Sequence, residues 1–233
     1  MDKEHIVAIG AHAGDMELTA GGVVAKYTAE GHRATFVHMT PGEKGHPSLS
    51  AEDYRRQKIR EAEEVAEGLG AEVRFLPYRD AELPVAREVK WTICDLVREL
   101  KPTAVITHWK GSIHPDHTNC HLNVVDGLFY GALREIRRSL PAHPVGRLFF
   151  AENWEDPEGF KPYVYLEVPE TAYVRWLEAI ERYAFVRGET SPFPYLEYYK
   201  ALAVIRGAES GFQYAETFMV PKERMRQRGS VLP

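Results

Sequence analysis

Two short stretches hold side chains whose types and spacing suit metal chemistry. In "AHAGDME" a histidine and an acid stand three residues apart, His12 and Asp15, and "HPDH" supplies His114, Asp116 and His117 within four residues. Imidazole nitrogens and carboxylate oxygens match the borderline preference of zinc, and a catalytic zinc site takes three such ligands with a fourth position open. A plainer reading stays open beside this one, in which His114 and His117 cap the helix that follows them.

For residues a hundred positions apart to meet, the fold must bring two chain segments to one edge. Short apolar runs rich in β-branched or aromatic residues, His5–Ile9, Thr35–Met39, Val73–Leu76 and Ala104–Thr107, predict strands buried on both faces. Between them lie amphipathic stretches ending at helix stop signals: Leu18–Glu30 before Gly31, Ala51–Leu69 before Gly70, and Val85–Leu100 before Lys101 and Pro102. His117–Arg138 predicts a fourth helix, broken by Pro141 and Pro144. Further on, "RLFFAE", "YVYLEV" and "ETFMV" predict strands, Glu170–Tyr183 and Tyr195–Ile205 helices, and "KERMRQRGSVLP" a frayed or contact-making end. The series predicts an α/β fold, Rossmann-like, with a mostly parallel sheet and helices on both faces, as one domain over residues 1–233. Four polar clusters, "AHAGDME", "TPGEKGHP", "YRDAEL" and "THWKGSIHPDH", each follow a predicted strand. All would open on the rim where such sheets bind ligands, unless they are ordinary solvated turns.

Composition narrows the partners. A chain of 233 residues with 44% hydrophobic content can bury one large core. Its net charge of -5 lacks the basic character of a nucleic-acid or anionic-membrane binder, so a small molecule is the expected partner. The start "MDKEHIVAIG" fits neither a signal peptide nor an anchor, and no apolar run approaches a spanning helix, so a cytoplasmic location is expected. Self-association is left open. Cys94 and Cys120 lack metal-type spacing and read as reduced thiols in or near the core.

Together, "AHAGDMEL…GG…AKYTAEGH…TPGEKG", "LVRELKPTAVITHW…HPDH" and "RG…YAETF" resemble the LmbE-like (PIG-L) family of zinc-dependent N-deacetylases, from about His5 to Phe218. The resemblance implies that His12, Asp15 and His117 hold the metal, that His114 stabilises charge at the reacting carbonyl, and that Asp116 supports them. It departs at Ala13, Gly14 and Lys58. The family's first motif reads Ala-His-Pro-Asp-Asp-x-Glu, and Gly14 stands where its proton-accepting aspartate would be, with Ala13 in place of the proline. Glu43 resembles a position that meets the sugar, and Lys58 stands where an arginine commonly contacts substrate. A lysine there keeps the charge and loses the bidentate fork. Asp80 on the rim reads as a ligand-orienting or turn-forming aspartate. Glu17 reads as securing the first turn of its helix, His108 as a supporting histidine and His121 as one set back from the metal.

The expected function is therefore a metal-dependent hydrolase in which water activated by one zinc ion attacks the N-acyl carbonyl of an amino sugar or related amide, with an altered or impaired proton relay. Asp116 is the nearest substitute base by motif. The alternative is a catalytically silent protein that keeps the metal and binds a sugar or similar small ligand. A nucleotide-binding module is weaker, because Gly10, Gly14, Gly21 and Gly22 do not form G-x-G-x-x-G. If the space beside Gly14 is empty, Gly14→Asp is expected to raise deacetylase turnover at least roughly tenfold, a fraction of a general base's usual worth.

Overall fold

The computed structural model describes residues 3–225, so the expectation for the end of "KERMRQRGSVLP" falls largely outside the described residues. Strands β1 (His5–Gly10), β2 (Arg33–His38), β3 (Glu72–Phe75), β4 (Ala104–Thr107), β5 (Arg147–Ala151), β6 (Val164–Glu167) and β7 (Ala215–Met219) join one sheet. Its order is β3-β2-β1-β4-β5-β7-β6. The first five run parallel, whereas β7 is antiparallel to both β5 and β6. Because β1 is flanked by β2 on one side and β4 on the other, the chain reverses its winding direction beside β1, and the crevice that binds ligands in such sheets opens there.

Helices cover both faces. Helices α1 (Asp15–Ala29), α2 (Ala51–Leu69), α5 (Glu170–Ile180) and α6 (Tyr195–Ser210) enclose one core with Phe36, Trp176 and Phe218. Helices α3 (Arg87–Leu100) and α4 (Pro115–Ala132) enclose the other with Val7, Ile9 and Val105. The caps explain several boundaries. Ser50 Oγ accepts the Asp53 N–H at 3.1 Å to open α2, and Gly70 closes it at φ 69°. Helix α1 begins three residues before the expected Leu18, because the Glu17 carboxylate accepts the Gly14 N–H at 3.2 Å and lets the turn start at Asp15.

Helix α4 stops at Ala132, short of the expected Arg138. The buried Arg98 guanidinium of α3 is the reason: it donates to the carbonyls of Tyr130, Gly131, Leu133, Ile136 and Leu140. Those carbonyls are pulled inward around one cation, and the chain after Ala132 wraps it instead of continuing the helix.

Candidate metal centre

The turn after β1 delivers His12 and Asp15, and the first turn of α4 delivers His117. Asp15 Oδ2 lies 3.4 Å from His12 Nδ1 and 3.4 Å from His117 Nε2. The His12 N–H anchors the same oxygen at 2.7 Å. The three expected ligands thus come together, and three overlapping groups among the described residues, His12 with His114 and His117, Asp15 with His108 and His117, and His12 with Asp80 and Asp116, each hold their donor atoms within 4.8 Å of one another.

Orientation of His117 comes from a residue that the sequence reading missed. Asp156 Oδ1 accepts from His117 Nδ1 at 2.9 Å, and its Oδ2 lies 3.0 Å from His108 Nδ1. With Nδ1 so occupied, His117 Nε2 carries the lone pair, and it is buried with no hydrogen-bond partner among the described residues. Burial, with His108 beside it, pushes the His117 pKa down to about 4, so the ring stays neutral. Asp80, Asp116 and Asp156 are buried around these rings, and among the described residues Lys58 is the sole lysine or arginine lining the adjoining cleft. A buried lone pair with no partner among the described residues, facing imidazole and carboxylate donors, fits a divalent cation held by His12, Asp15 and His117.

His114 both caps and faces the cleft. Its Nδ1 accepts the Asp116 N–H at 3.2 Å at the start of α4, which leaves Nε2 to carry the proton of the neutral ring. Asp116 is buried beneath His12, its Oδ2 3.4 Å from His12 Nε2 and 2.7 Å from the Ala81 N–H. It holds Ala81 in the left-handed region at φ 59°, and it does not line the cleft. Asp80 does line it, with Oδ1 3.2 Å from His12 Nε2 and Oδ2 accepting the Lys44 N–H. Burial alone would raise the Asp80 pKa, but these partners hold it at about 2.

Glu43 lies away from the main cleft wall, with Oε1 accepting the Asp80 N–H at 3.2 Å, so it positions Asp80 from behind. His121 is turned from the centre, donating through Nδ1 to the His108 carbonyl at 2.8 Å. Lys58 is buried at the cleft floor. Its Nζ donates to the Ala13 carbonyl at 2.5 Å and sits 4.1 Å above the Phe185 ring. Burial pushes the Lys58 pKa down to about 8.

The cleft itself, about 400 Å³, is walled on the far side by residues after β5 and by the segment 181–194. Trp154 stacks on Phe193 at 4.0 Å there, and its indole N–H is buried without an acceptor among the described residues. Phe185 overturns one expectation. Gly14 has φ 107°, and a Cβ built on it would lie 2.5 Å from Phe185 Cζ, so the space beside Gly14 is filled. The wall also carries Glu155, whose carboxyl pKa burial raises to about 7 with Asp15 adding to the effect. Sequence reading passed over Glu155 and Asp156, yet "ENWED" is a fifth polar cluster after a strand, β5, and the rim rule applied to the first four would have found it.

Comparison with known proteins shows the family. Residues 7–127 match the GlcNAc-PI de-N-acetylase (PIG-L) family. The chain is 26% identical over 146 residues to a diacetylchitobiose deacetylase of Thermococcus kodakarensis, covering 59% of this chain and 54% of that protein. It therefore spans about half the length of that relative. A probable N-acetyl-alpha-D-glucosaminyl L-malate deacetylase 2 of Bacillus anthracis is 28% identical over 193 residues, covering 78% of this chain and 81% of the relative. Among solved structures, the conserved protein TT1542 of Thermus thermophilus superposes with a TM-score of 0.82 at 25% identity, covering 94% of each chain. The matched span holds both motif stretches and more than half of the 233 residues, and on that ground the chain belongs to the PIG-L family of GlcNAc-PI de-N-acetylases.

Proposed function

We propose that this chain is a zinc-dependent N-deacetylase acting on an N-acylated amino sugar or related amide, with a proton relay that differs from the family's usual one. The observation that carries the reading is the convergence of His12 Nδ1 and His117 Nε2 on Asp15 Oδ2, with His117 Nε2 otherwise unpartnered. A divalent ion bound by these three residues would supply Lewis acidity, lowering the pKa of water and polarising an acyl carbonyl. Asp156 fixes the His117 tautomer, and Asp116 supports His12 from below. His114 Nε2–H is the donor for the oxyanion that forms as the carbonyl is attacked. Asp80 and Lys58 meet polar groups of the substrate, and the Trp154 wall covers a sugar face. The relatives named above, deacetylases of acetylated sugars by their descriptions, support this substrate class. We read the chain as one such domain working in the cytoplasm. Among the described residues no helix is long and apolar enough to cross a membrane.

The second reading, a metal-retaining sugar-binding protein without turnover, is favoured by one feature, the Phe185 ring beside Gly14. Acetate release from a panel of N-acetylated amino sugars separates the two, measured on metal-stripped and zinc-restored protein. Zinc-dependent release is expected. Saturable sugar binding without release at any zinc level would favour the silent binder.

A further inference from the structure

Three carboxylates line the cleft, Asp15, Asp80 and Glu155, and they differ in what else holds them. Asp15 accepts the His12 N–H and lies within 3.4 Å of three imidazoles. Asp80 accepts the Lys44 N–H and contacts His12. The Glu155 carboxylate accepts no hydrogen bond from any described residue. The imidazole beside it is that of His117, whose Nε2 lies 3.9 Å from Glu155 Oε2.

Its backbone, by contrast, is fixed. The Glu155 N–H donates to Asn153 Oδ1 at 3.0 Å, and its carbonyl accepts from the Ile113 N–H at 2.7 Å and Ser112 Oγ at 3.0 Å. A free carboxylate is thus carried on a pinned main chain toward the one buried imidazole nitrogen of the centre that has no partner. Elsewhere in the same cleft, the corner beside residue 14 is closed. The Phe185 ring fills it, with the Lys58 ammonium 4.1 Å above and the Tyr195 ring edge-on at 4.9 Å.

We propose that Glu155 is the general base of this enzyme, acting from the β5 side of the cleft in place of the acid missing at position 14. The inference rests on the deacetylase reading above. In the step it serves, the Glu155 carboxylate takes a proton from the attacking water as the new C–O bond forms. It then returns that proton to the amide nitrogen as the C–N bond breaks, releasing a carboxylic acid and a free amine, which reach their ionised forms in solution. No oxidant, reductant or further reactant is needed. The bound group reverses its role between the two half-steps, as a base that becomes the matching acid does.

Glu155→Gln and Glu155→Asp, each purified beside the parent, test this on N-acetylglucosamine and diacetylchitobiose. Zinc content by mass spectrometry and sugar affinity by calorimetry are read together with turnover. Glu155→Gln is expected to keep the parent's zinc and bind sugar within about twofold, while turnover falls by roughly 10²–10⁴, the usual worth of a positioned base. Glu155→Asp, a shorter carboxylate, is expected to turn over at least tenfold faster than Glu155→Gln. Loss of zinc from Glu155→Gln would make the residue a ligand or a support and overturn the proposal. Turnover by Glu155→Gln within threefold of the parent, or Glu155→Asp no faster than Glu155→Gln, would overturn it as well, with the deacetylase reading intact. A parent that binds zinc and both sugars but releases no acetate would end that reading and this inference together.

Discussion

Phe185 and Gly14 exclude one another's side chains: with Gly14 at φ 107°, any Cβ on residue 14 would stand 2.5 Å from Phe185 Cζ and 2.9 Å from its Cε1. The two positions lie 171 residues apart in the chain and form a single packed unit, steadied by Lys58 over the ring. Placing an acid at residue 14 is therefore no simple gain of a functional group.

Gly14→Asp is expected to lose stability and gain no turnover, the reverse of what an empty space would allow. Left-handed backbone at a non-glycine residue costs roughly 1–3 kcal/mol before the ring is displaced. In a chain of this size each kcal/mol lowers Tm by roughly 2–4 °C. Adding Phe185→Ala should recover part of the loss, since it removes the clash and leaves the strain, and the coupling between the two changes should exceed roughly 0.5 kcal/mol. Thermal melts of the parent, both single variants and the double variant read this directly. A Gly14→Asp protein as stable as the parent and ten times faster would disprove the packing argument.

Metal affinity should respond to Asp156 although it is not one of the three proposed ligands. It holds His117 Nδ1 at 2.9 Å and His108 Nδ1 at 3.0 Å, so Asp156→Asn would hold neither ring in its present tautomer with the same strength. Zinc affinity, measured by chelator competition, is expected to fall roughly 10–100-fold. His117→Ala should lose more, and His121→Ala almost nothing, because the His121 ring is spent on the His108 carbonyl. Equal losses at His117 and His121 would mean that the centre lies elsewhere.

What could be read from sequence and what could not divides along range of interaction. The Ala104–Thr107 strand and the Ala51–Leu69 helix have the expected bounds, because a buried apolar run and a Ser50/Gly70 pair of caps are local signals. That the loops carrying His12, Asp15 and His117 would meet was legible because parallel strands place successive rim loops side by side, whereas the choice of these three as a set came from the family resemblance. The Phe185 plug was not, since nothing in "YAFVRG" marks a ring that crosses the sheet's crevice to residue 14. The early end of α4 was hidden for the same reason: Arg98 looks like an ordinary amphipathic position until five carbonyls are found around it.

That cluster gives a stability prediction remote from the cleft. Arg98→Met keeps much of the buried stem and removes every donor, and each buried carbonyl left dry costs roughly 1–3 kcal/mol. A loss of roughly 3 kcal/mol or more in chemical unfolding is expected, with zinc content unchanged in the folded fraction. A loss under about 1 kcal/mol would mean that water replaces the guanidinium and that Arg98 does not set the end of α4.

Glu216 supplies the pH dependence. It is buried on β7, where Oε1 accepts the Gly22 N–H and Oε2 the Val23 N–H of α1, each at 2.8 Å. Burial raises its pKa from the ordinary 4.5 to about 7, against the pull of those two N–H groups. Between pH 4.5 and about 7 the folded protein holds a proton on Glu216 that the unfolded chain has released, so the contribution of this group to stability declines as pH rises through that window. Above about 7 both states are ionised and the decline stops. Glu216→Gln carries no titrating proton, so the difference in unfolding free energy, parent minus variant, should be larger at pH 5 than at pH 7.5 by on the order of 2 kcal/mol, a tenfold change in proton affinity being worth about 1.4 kcal/mol. Urea unfolding of both proteins at the two pH values measures that difference. A gap that stays constant, or one that widens toward pH 7.5, would show that the two backbone N–H groups outweigh burial and keep Glu216 ionised in the fold.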